Sequence, residues 1–160
     1  MAYLTALVKL ARLASIVTRR LSSVQVLRIS AHALVKLVAE LDEQLNILKL
    51  DLAPTIFLGN PLNPNRLLPG ISLQQAVYLH CFYHTTVLDI HNTLIYPWSK
   101  TLLGLTPHQL LRAQVDRSIE MVMRTCHTAT LTLQYVHIDA ATPVPYVSCL
   151  TSSESGHCAE

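Results

Sequence analysis

Three histidines, His80, His84 and His91, are the residues of this chain whose type and spacing come nearest to a chemical site. Offsets of four and seven residues put them on one face of a helix. Neutral imidazole is the commonest side-chain ligand for transition metals, and two histidines one turn apart can chelate zinc. The histidines therefore form a candidate metal site, and a small helical metal-dependent enzyme is one hypothesis for this chain.

The neighbouring residues do not complete a metalloenzyme motif. The run from His80 to His84 reads HCFYH, without the glutamate that zinc proteases place after the first histidine, and Asp89 lies on another side of the helix. We therefore expect the three histidines to be polar members of a buried helix, bonded to the backbone or to neighbouring helices. No catalytic, cofactor-binding or metal-ligating residue is assigned on this basis.

The cysteines show no second reactive arrangement. Cys126 and His127 are adjacent and point about 100° apart on a helix, so they cannot pair as nucleophile and base. The sequence contains no C-x-x-C pair, which argues against a zinc knuckle; the four cysteines are Cys81, Cys126, Cys149 and Cys158. There is also no glycine-rich phosphate loop. We expect neither an enzyme nor a bound cofactor.

Aromatic residues cluster around the same histidine-bearing segment. They are Tyr78, Phe82, Tyr83 and Trp98. Such rings can line a ligand pocket, but they more often fill a core, because each ring buries a large apolar area. We expect core packing for these four side chains.

The composition indicates more apolar surface than an isolated domain needs. Hydrophobic residues make up 51% of the chain and charged residues 14%, against roughly 25% charged residues in a typical domain. A membrane span is not the reason, because Lys9 and Arg12 interrupt the N-terminal apolar stretch and residues 71–98 carry polar side chains throughout. We expect the extra apolar surface to face protein partners. The net charge of +2 does not favour nucleic-acid binding.

Apolar residues recur at three- and four-residue spacing and predict an irregular all-α bundle of about four long helices. The predicted helices cover residues 2–21, 24–50, 72–96 and 106 to about 140. Ser72 and Gln75 form a capping box at the start of the third helix, which is apolar nearly all round and is therefore predicted to be the buried centre. The proline-rich residues 53–70 predict a loop.

The fourth helix is predicted to start with Thr106 as cap and Pro107 in its first turn. Its charged residues are predicted to face outward; they are Arg112, Asp116, Arg117, Glu120 and Arg124. Its apolar residues are predicted to face the core; they are Leu110, Leu111, Val115, Ile119, Val122, Met123, Cys126, Ala129, Leu131 and Leu133. Residues 1–145 are therefore predicted to form one helical domain, followed by a disordered tail at residues 146–160.

The N-terminal segment leaves a second localisation open. Six basic side chains precede the first acidic residue, Glu40; they are Lys9, Arg12, Arg19, Arg20, Arg28 and Lys36. Mitochondrial transit peptides are basic, amphipathic and poor in acids in this way. A small mitochondrial protein with such a peptide is therefore an alternative hypothesis, although the helical pattern continues into the acid-containing stretch.

Three stretches occur in the order and at the spacing of a known family. Residues 41–54 form an acidic, leucine-spaced helix, residues 79–91 (LHCFYHTTVLDIH) are similar to a central "LHLxYH…LLHRP" helix, and residues 114–126 follow as a third helix. The chain in this way resembles the fungal-specific transcription factor domain, the middle homology region of zinc binuclear cluster regulators. It departs from the family pattern at Asn92-Thr93, where the family carries Arg-Pro, and at Leu48, where it carries Trp.

The resemblance implies a partial helical regulatory domain of a nuclear transcription factor. In that family a separate six-cysteine zinc cluster reads DNA, and this sequence does not contain one. The chain is thus expected to be a fragment or truncated relative that regulates transcription without binding DNA itself. Its expected partners are other proteins or the remainder of a larger regulator, with a small effector as a further ligand.

Overall fold

Four α-helices form the computed structural model of this chain, which describes residues 2–21, 29–53, 56–95 and 109–136. They are α1 (Ala2–Leu21), α2 (Ala31–Leu52), α3 (Leu73–Ile95) and α4 (Gln109–Leu133), with a 3-10 turn at Pro64–Arg66. No strand occurs within these ranges, so the predicted all-α fold class is confirmed. Trp98, the Thr106 cap, Cys149, Cys158 and the predicted tail lie outside the described residues.

The start of α2 differs from the prediction. Ser30 is extended, with φ −67° and ψ 154°, and its Oγ accepts a hydrogen bond from the backbone N–H of Ala33 at 3.3 Å. A serine in this conformation is a helix N-cap, so a continuous helix from residue 24 to residue 50 was a wrong prediction. The spacing of apolar residues alone does not predict such a cap. Helix α2 also continues two residues further than predicted, to Leu52.

The capping box of α3 is present as predicted. The backbone N–H of Ser72 donates to Gln75 Oε1 at 3.0 Å, and the backbone N–H of Gln75 donates to Ser72 Oγ at 3.2 Å. Helix α3 then packs against α1, α2 and α4, and its middle section is buried on nearly every side. It is therefore the central helix, as its continuous apolar pattern indicates.

Helices α1 and α2 lie antiparallel. Lys9 Nζ pairs with Asp51 Oδ2 at 2.5 Å, and Arg20 pairs with Glu40 Oε2 at 3.1 Å, so the later residue of α1 meets the earlier residue of α2. Both pairs are exposed and each contributes at most about 1 kcal/mol. The buried side of α1 supplies most of its stabilisation; it comprises Ala6, Leu10, Leu13, Val17 and Leu21.

The inner face of α4 is more polar than predicted, although the predicted residues Val115 and Leu133 do pack against the core. Its buried residues are Ser118, Thr125, Thr128 and Thr132. Three residues assigned to the core are exposed instead: Ile119, Leu131 and Met123, the last of these to 68%. The predicted outward position of the charged residues of α4 agrees with the structure.

Backbone hydrogen bonds explain how threonines occupy this inner face. Thr128 Oγ1 donates to the carbonyl of Arg124 and Thr132 Oγ1 donates to the carbonyl of Thr128, each at 2.9 Å. The hydroxyl is thereby satisfied within α4. Small side chains also let α4 pack closely on α3, with which it makes its most extensive contact. The helix ends at Leu133 rather than near residue 140. Just after this end, the backbone N–H of Val136 donates to the carbonyl of Leu133 in a turn.

The segment between α2 and α3 is a loop that contributes to the core. Ile56, Leu58 and Leu62 are buried, and Asn63 caps the 3-10 turn by accepting from the backbone N–H of Asn65 at 3.0 Å. Gly59 has φ +80°, a left-handed conformation that favours glycine. The described part of the loop thus packs against the core, with Gly59 beside Tyr83 of α3.

Two leucines of α2 test this packing. Leu45 is 1% exposed and Leu50 is 73% exposed. We expect Leu45→Ala to lower the free energy of unfolding by about 2–5 kcal/mol, because it leaves a cavity in the core. The matched Leu50→Ala change should alter that free energy by less than about 0.5 kcal/mol. Urea denaturation measures both, and equal losses would contradict the described packing.

Candidate functional site

A buried polar cluster joins three helices. Asp42 of α2, His91 of α3 and Ser118 of α4 are 3%, 0% and 0% exposed, respectively. His91 Nδ1 lies 3.0 Å from Ser118 Oγ, and His91 Nε2 lies 3.5 Å from Asp42 Oδ1. Arg117 completes the polar cluster by donating to Asp42 Oδ2 at 3.0 Å. The polar cluster therefore comprises Asp42, His91, Arg117 and Ser118.

The charge of Asp42 is held by its partners. The facing His91 imidazole, and then the Arg117 guanidinium, keep the pKa of Asp42 below its ordinary value, although burial opposes this. The 3.5 Å separation of Asp42 Oδ1 and His91 Nε2 is too long for a good hydrogen bond, so this contact is mainly electrostatic. Arg117 makes the short bond, with its own side chain 59% exposed to solvent.

Carboxylate, imidazole and hydroxyl are the groups that serine hydrolases combine for nucleophilic catalysis. In those enzymes the hydroxyl oxygen must reach a substrate carbonyl. Ser118 and His91 are completely enclosed, so a substrate cannot approach this hydroxyl in the described conformation. The polar cluster consequently acts as a connection between α2, α3 and α4.

The other two candidate histidines lie beside each other. The ring centroids of His80 and His84 are 6.0 Å apart. Within the described part of the chain, no group of three or more His, Cys, Asp or Glu side chains is placed to hold one metal ion. The three histidines therefore lie on one face of α3 but in two environments, because Ser118 of α4 contacts His91.

His84 borders a cavity of about 140 Å³ between α2, α3 and α4. We call this the α2–α4 cavity; its lining includes Lys49, Asn60, Tyr83, His84, Arg124 and Thr125. His84 is 1% exposed, and neither of its ring nitrogens has a hydrogen-bond partner among the described residues. Burial, together with the nearby His80, lowers the pKa of His84 to about 3, so its imidazole is neutral.

Lys49 and Tyr83 meet at Gly59 on the wall of this cavity. A Cβ atom built on Gly59 would lie 3.0 Å from Lys49 Nζ and 3.2 Å from Tyr83 Oη. Only glycine leaves this space open for the two polar groups. Burial, with a smaller contribution from the charge of Asp42, raises the pKa of Tyr83 to about 12, so its hydroxyl remains a hydrogen-bond donor.

A second cavity, of about 200 Å³, lies under the loop and is bordered by His80 and Arg66. Asn60 lines both cavities. His80 Nδ1 has no hydrogen-bond partner among the described residues, and burial lowers the pKa of His80 to about 4. The expectation that the histidines would bond to the backbone or to other helices is therefore met by His91 and not by His84.

The remaining reactive or aromatic residues are parts of the packing. Burial raises the pKa of the Cys126 thiol, which disfavours the nucleophilic thiolate. Tyr78 and Phe82 make an edge contact with ring centroids 6.3 Å apart, and Tyr83 makes one with His84 at 5.5 Å. Tyr83 thus also reaches the α2–α4 cavity, a role that core packing alone does not describe.

Sequence reasoning missed Asp42, Ser118, Lys49 and Gly59 as partners of the histidines. The sequence did contain a signal that Asp42 could be buried, since a carboxylate directly after Leu41 lies beside the apolar face of α2. The sequence contained no such signal for Ser118 or Lys49, because their contacts are with residues far away in the sequence.

No helix within the described ranges is both long and apolar enough to cross a lipid bilayer. No family model matches the chain, and neither the curated proteins nor the solved structures include a significant match.

The charge of Asp42 can be tested by its pH dependence. Asp42→Asn should lower the free energy of unfolding at pH 7 by about 1–3 kcal/mol, because His91 and Arg117 lose a charged partner. The folded-state pKa of Asp42 is depressed, so this contribution is present above the unfolded value of about 3.9 and is lost as pH falls through the folded pKa. The difference between wild type and variant should therefore shrink below about pH 4.

The matched control for this prediction is Asp51→Asn, on the same helix but with its side chain 53% exposed. We expect it to change the free energy of unfolding by at most about 1 kcal/mol. Urea denaturation at a series of pH values gives both curves. Equal effects of the two variants at pH 7 would contradict a buried, charged Asp42.

His84 predicts a second pH dependence. The unfolded chain protonates His84 near pH 6.5, whereas the folded chain does so only at about pH 3. The free energy of unfolding should therefore fall as pH drops below 6.5, by up to about 1.4 kcal/mol per pH unit from this residue. We expect His84→Gln to make the decline between pH 6 and pH 4 shallower by this amount, with exposed His127→Gln as the matched control. An unchanged slope in His84→Gln would show that His84 does not stay neutral.

Proposed function

We propose that this chain is a helical regulatory module of a fungal transcription factor, which acts through contacts with other proteins and does not catalyse a reaction or bind DNA itself. The proposal starts from the resemblance of residues 41–54, 79–91 and 114–126 to the fungal-specific transcription factor domain. Its expected location is the nucleus.

The observation that best supports this proposal is the membership of the polar cluster. Asp42 belongs to the first of the three stretches, His91 to the second, and Arg117 and Ser118 to the third. The stretches on which the resemblance rests thus contact one another through buried polar groups. They behave as one packed unit of the kind that a shared domain requires.

Exposed apolar side chains support the part of the proposal that concerns protein contacts. Leu4 and Val8 of α1, Ile47 and Leu50 of α2, and Phe57 of the loop are each about half or more exposed. A surface that exposes more large apolar side chains than an ordinary monomeric protein does is typical of an interaction site. The chain's charged fraction of 14% is consistent with this use.

Two observations favour the proposal over its alternatives. The histidines of the metal-enzyme hypothesis occupy separate environments, with His91 engaged by Asp42 and Ser118 and His84 beside a cavity. For the mitochondrial hypothesis, α1 would have to be removed as a transit peptide, yet Leu10, Leu13 and Val17 are buried in the core. Removal of α1 would expose that core to water.

A reporter experiment in yeast tests the proposed function. The chain is fused to a heterologous DNA-binding domain whose site precedes a reporter gene. We expect reporter expression to change severalfold relative to the DNA-binding domain alone, because the helical module recruits a regulatory protein. Asp42→Ala should weaken the change, because the three stretches lose the carboxylate that connects them, and the exposed Asp51→Ala should preserve it.

Immunoblotting and fluorescence imaging of the same fusions provide the controls for abundance and location. A fusion that is abundant, nuclear and without effect on the reporter would contradict the proposal. Import of the unfused chain into mitochondria, lost on removal of residues 2–21, would favour the transit-peptide alternative.

A further inference from the structure

The α2–α4 cavity presents a polar group that the protein itself leaves unsatisfied. His84 is buried, and both of its ring nitrogens lack a partner among the described residues. A buried polar group left without a hydrogen bond destabilises the folded state. A neutral imidazole carries one N–H donor and one acceptor nitrogen, so a polar occupant of the adjoining cavity would satisfy it.

The charges around the cavity indicate the sign of that occupant. Lys49 and Arg124 both line it, and the described lining residues include no carboxylate. Glu120 is the acidic neighbour, and it pairs with Arg124 at the solvent-exposed rim. The nearest buried carboxylate, Asp42, is already engaged by Arg117 and His91. Arg124 is thus already paired, and Lys49 supplies the positive charge of the lining that has no ion-pair partner among the described residues.

The remaining lining groups supply directional hydrogen bonds. Tyr83 contributes a hydroxyl that stays protonated, and Asn60 contributes a side-chain amide. Gly59 keeps Lys49 Nζ and Tyr83 Oη close to one point, since a Cβ atom there would lie within 3.2 Å of both. One cation and several neutral donors around the cavity, with Arg124 as a second cation at its exposed side, favour an oxyanion, whose oxygens accept charge-assisted hydrogen bonds.

The volume limits the size of the occupant. A space of about 140 Å³ equals the volume of about five water molecules in the liquid. An occupant of about five non-hydrogen atoms fits this volume, which describes a phosphate group or a short carboxylate.

We propose that the α2–α4 cavity binds a small oxyanion, a phosphate or a short carboxylate, through Lys49 and Arg124, with His84 and Tyr83 as neutral hydrogen-bond partners. Such a site goes beyond the regulatory function proposed above and does not depend on it. The shared chemistry is a compact anionic group with at least two acceptor oxygens, either free or as the terminal group of a larger molecule.

Isothermal titration calorimetry of the purified full chain tests the site. Inorganic phosphate and acetate are titrated separately at constant ionic strength, with sodium chloride as the reference. We expect saturable binding of at least one of them. Lys49→Gln and Arg124→Gln should each weaken it about tenfold, the loss expected for one charged hydrogen bond. Lys36→Gln, an exposed position of the same helix as Lys49, should leave the affinity unchanged.

The imidazole resonances of His84 give a second readout, which should change on anion binding and would not change if His84 only packed the core. We expect the ¹⁵N resonances of His84 to shift on addition of the bound anion and those of His127 to stay constant. Binding of phosphate alone supports a phosphate-bearing ligand, and binding of acetate alone supports a carboxylate. The proposal is overturned if neither anion binds, if chloride has the same effect, or if both Gln variants bind as wild type. None of these results bears on the reporter experiment, so the two proposals fail separately.

Discussion

A carboxylate buried in a helical bundle must be matched by positive or polar groups, and in this chain that requirement falls on Asp42. Its partners come from two other helices: His91 from α3, and Arg117 from α4. The position of α2 is thereby tied to both. A buried ion pair of this kind contributes little net stability compared with an apolar contact, because desolvation opposes the attraction. We expect it to favour one arrangement of the helices, since a shift of any of the three would leave a buried charge unpaired.

The close contact between α3 and α4 depends on a different constraint. Helix α4 turns serine and threonines toward α3, and its threonine hydroxyls bond to their own backbone. These small side chains allow the helices to approach, and Ser118 then reaches His91 at 3.0 Å. The same arrangement leaves Met123 and Ile119 exposed. The apolar excess in the composition therefore lies partly on surfaces available to other proteins.

The buried residues of the described part of the chain include several polar side chains, which differ in how well their hydrogen bonds are satisfied. His91 bonds to Ser118 through Nδ1 and faces the Asp42 carboxylate with Nε2, whereas His80 and His84 border cavities with nitrogens that have no hydrogen-bond partner among the described residues. A ligand that satisfies such groups binds the folded state alone and so stabilises it. A cavity between three helices is also a position from which binding can alter how those helices pack. The regulatory proposal and the anion site are compatible for this reason, although each rests on separate observations.

The amino-acid sequence by itself determined the helical class, the course of α1, the capping box at Ser72 and the central burial of α3. These features depend on local propensity and on spacing within one segment, which a sequence displays directly. The inner face of α4 could not be obtained in this way, since hydrophobicity ranks Met123 and Ile119 above Ser118 and Thr132. Only the approach of α3 made small residues the better fit.

The division of the three histidines was likewise decided by tertiary structure. His91 received Asp42 and Ser118 from helices distant in the sequence, and His84 received a cavity beside Lys49 and Arg124. Spacing places side chains on a face of a helix, but the partners that give them a chemical role are brought by the packing of other helices.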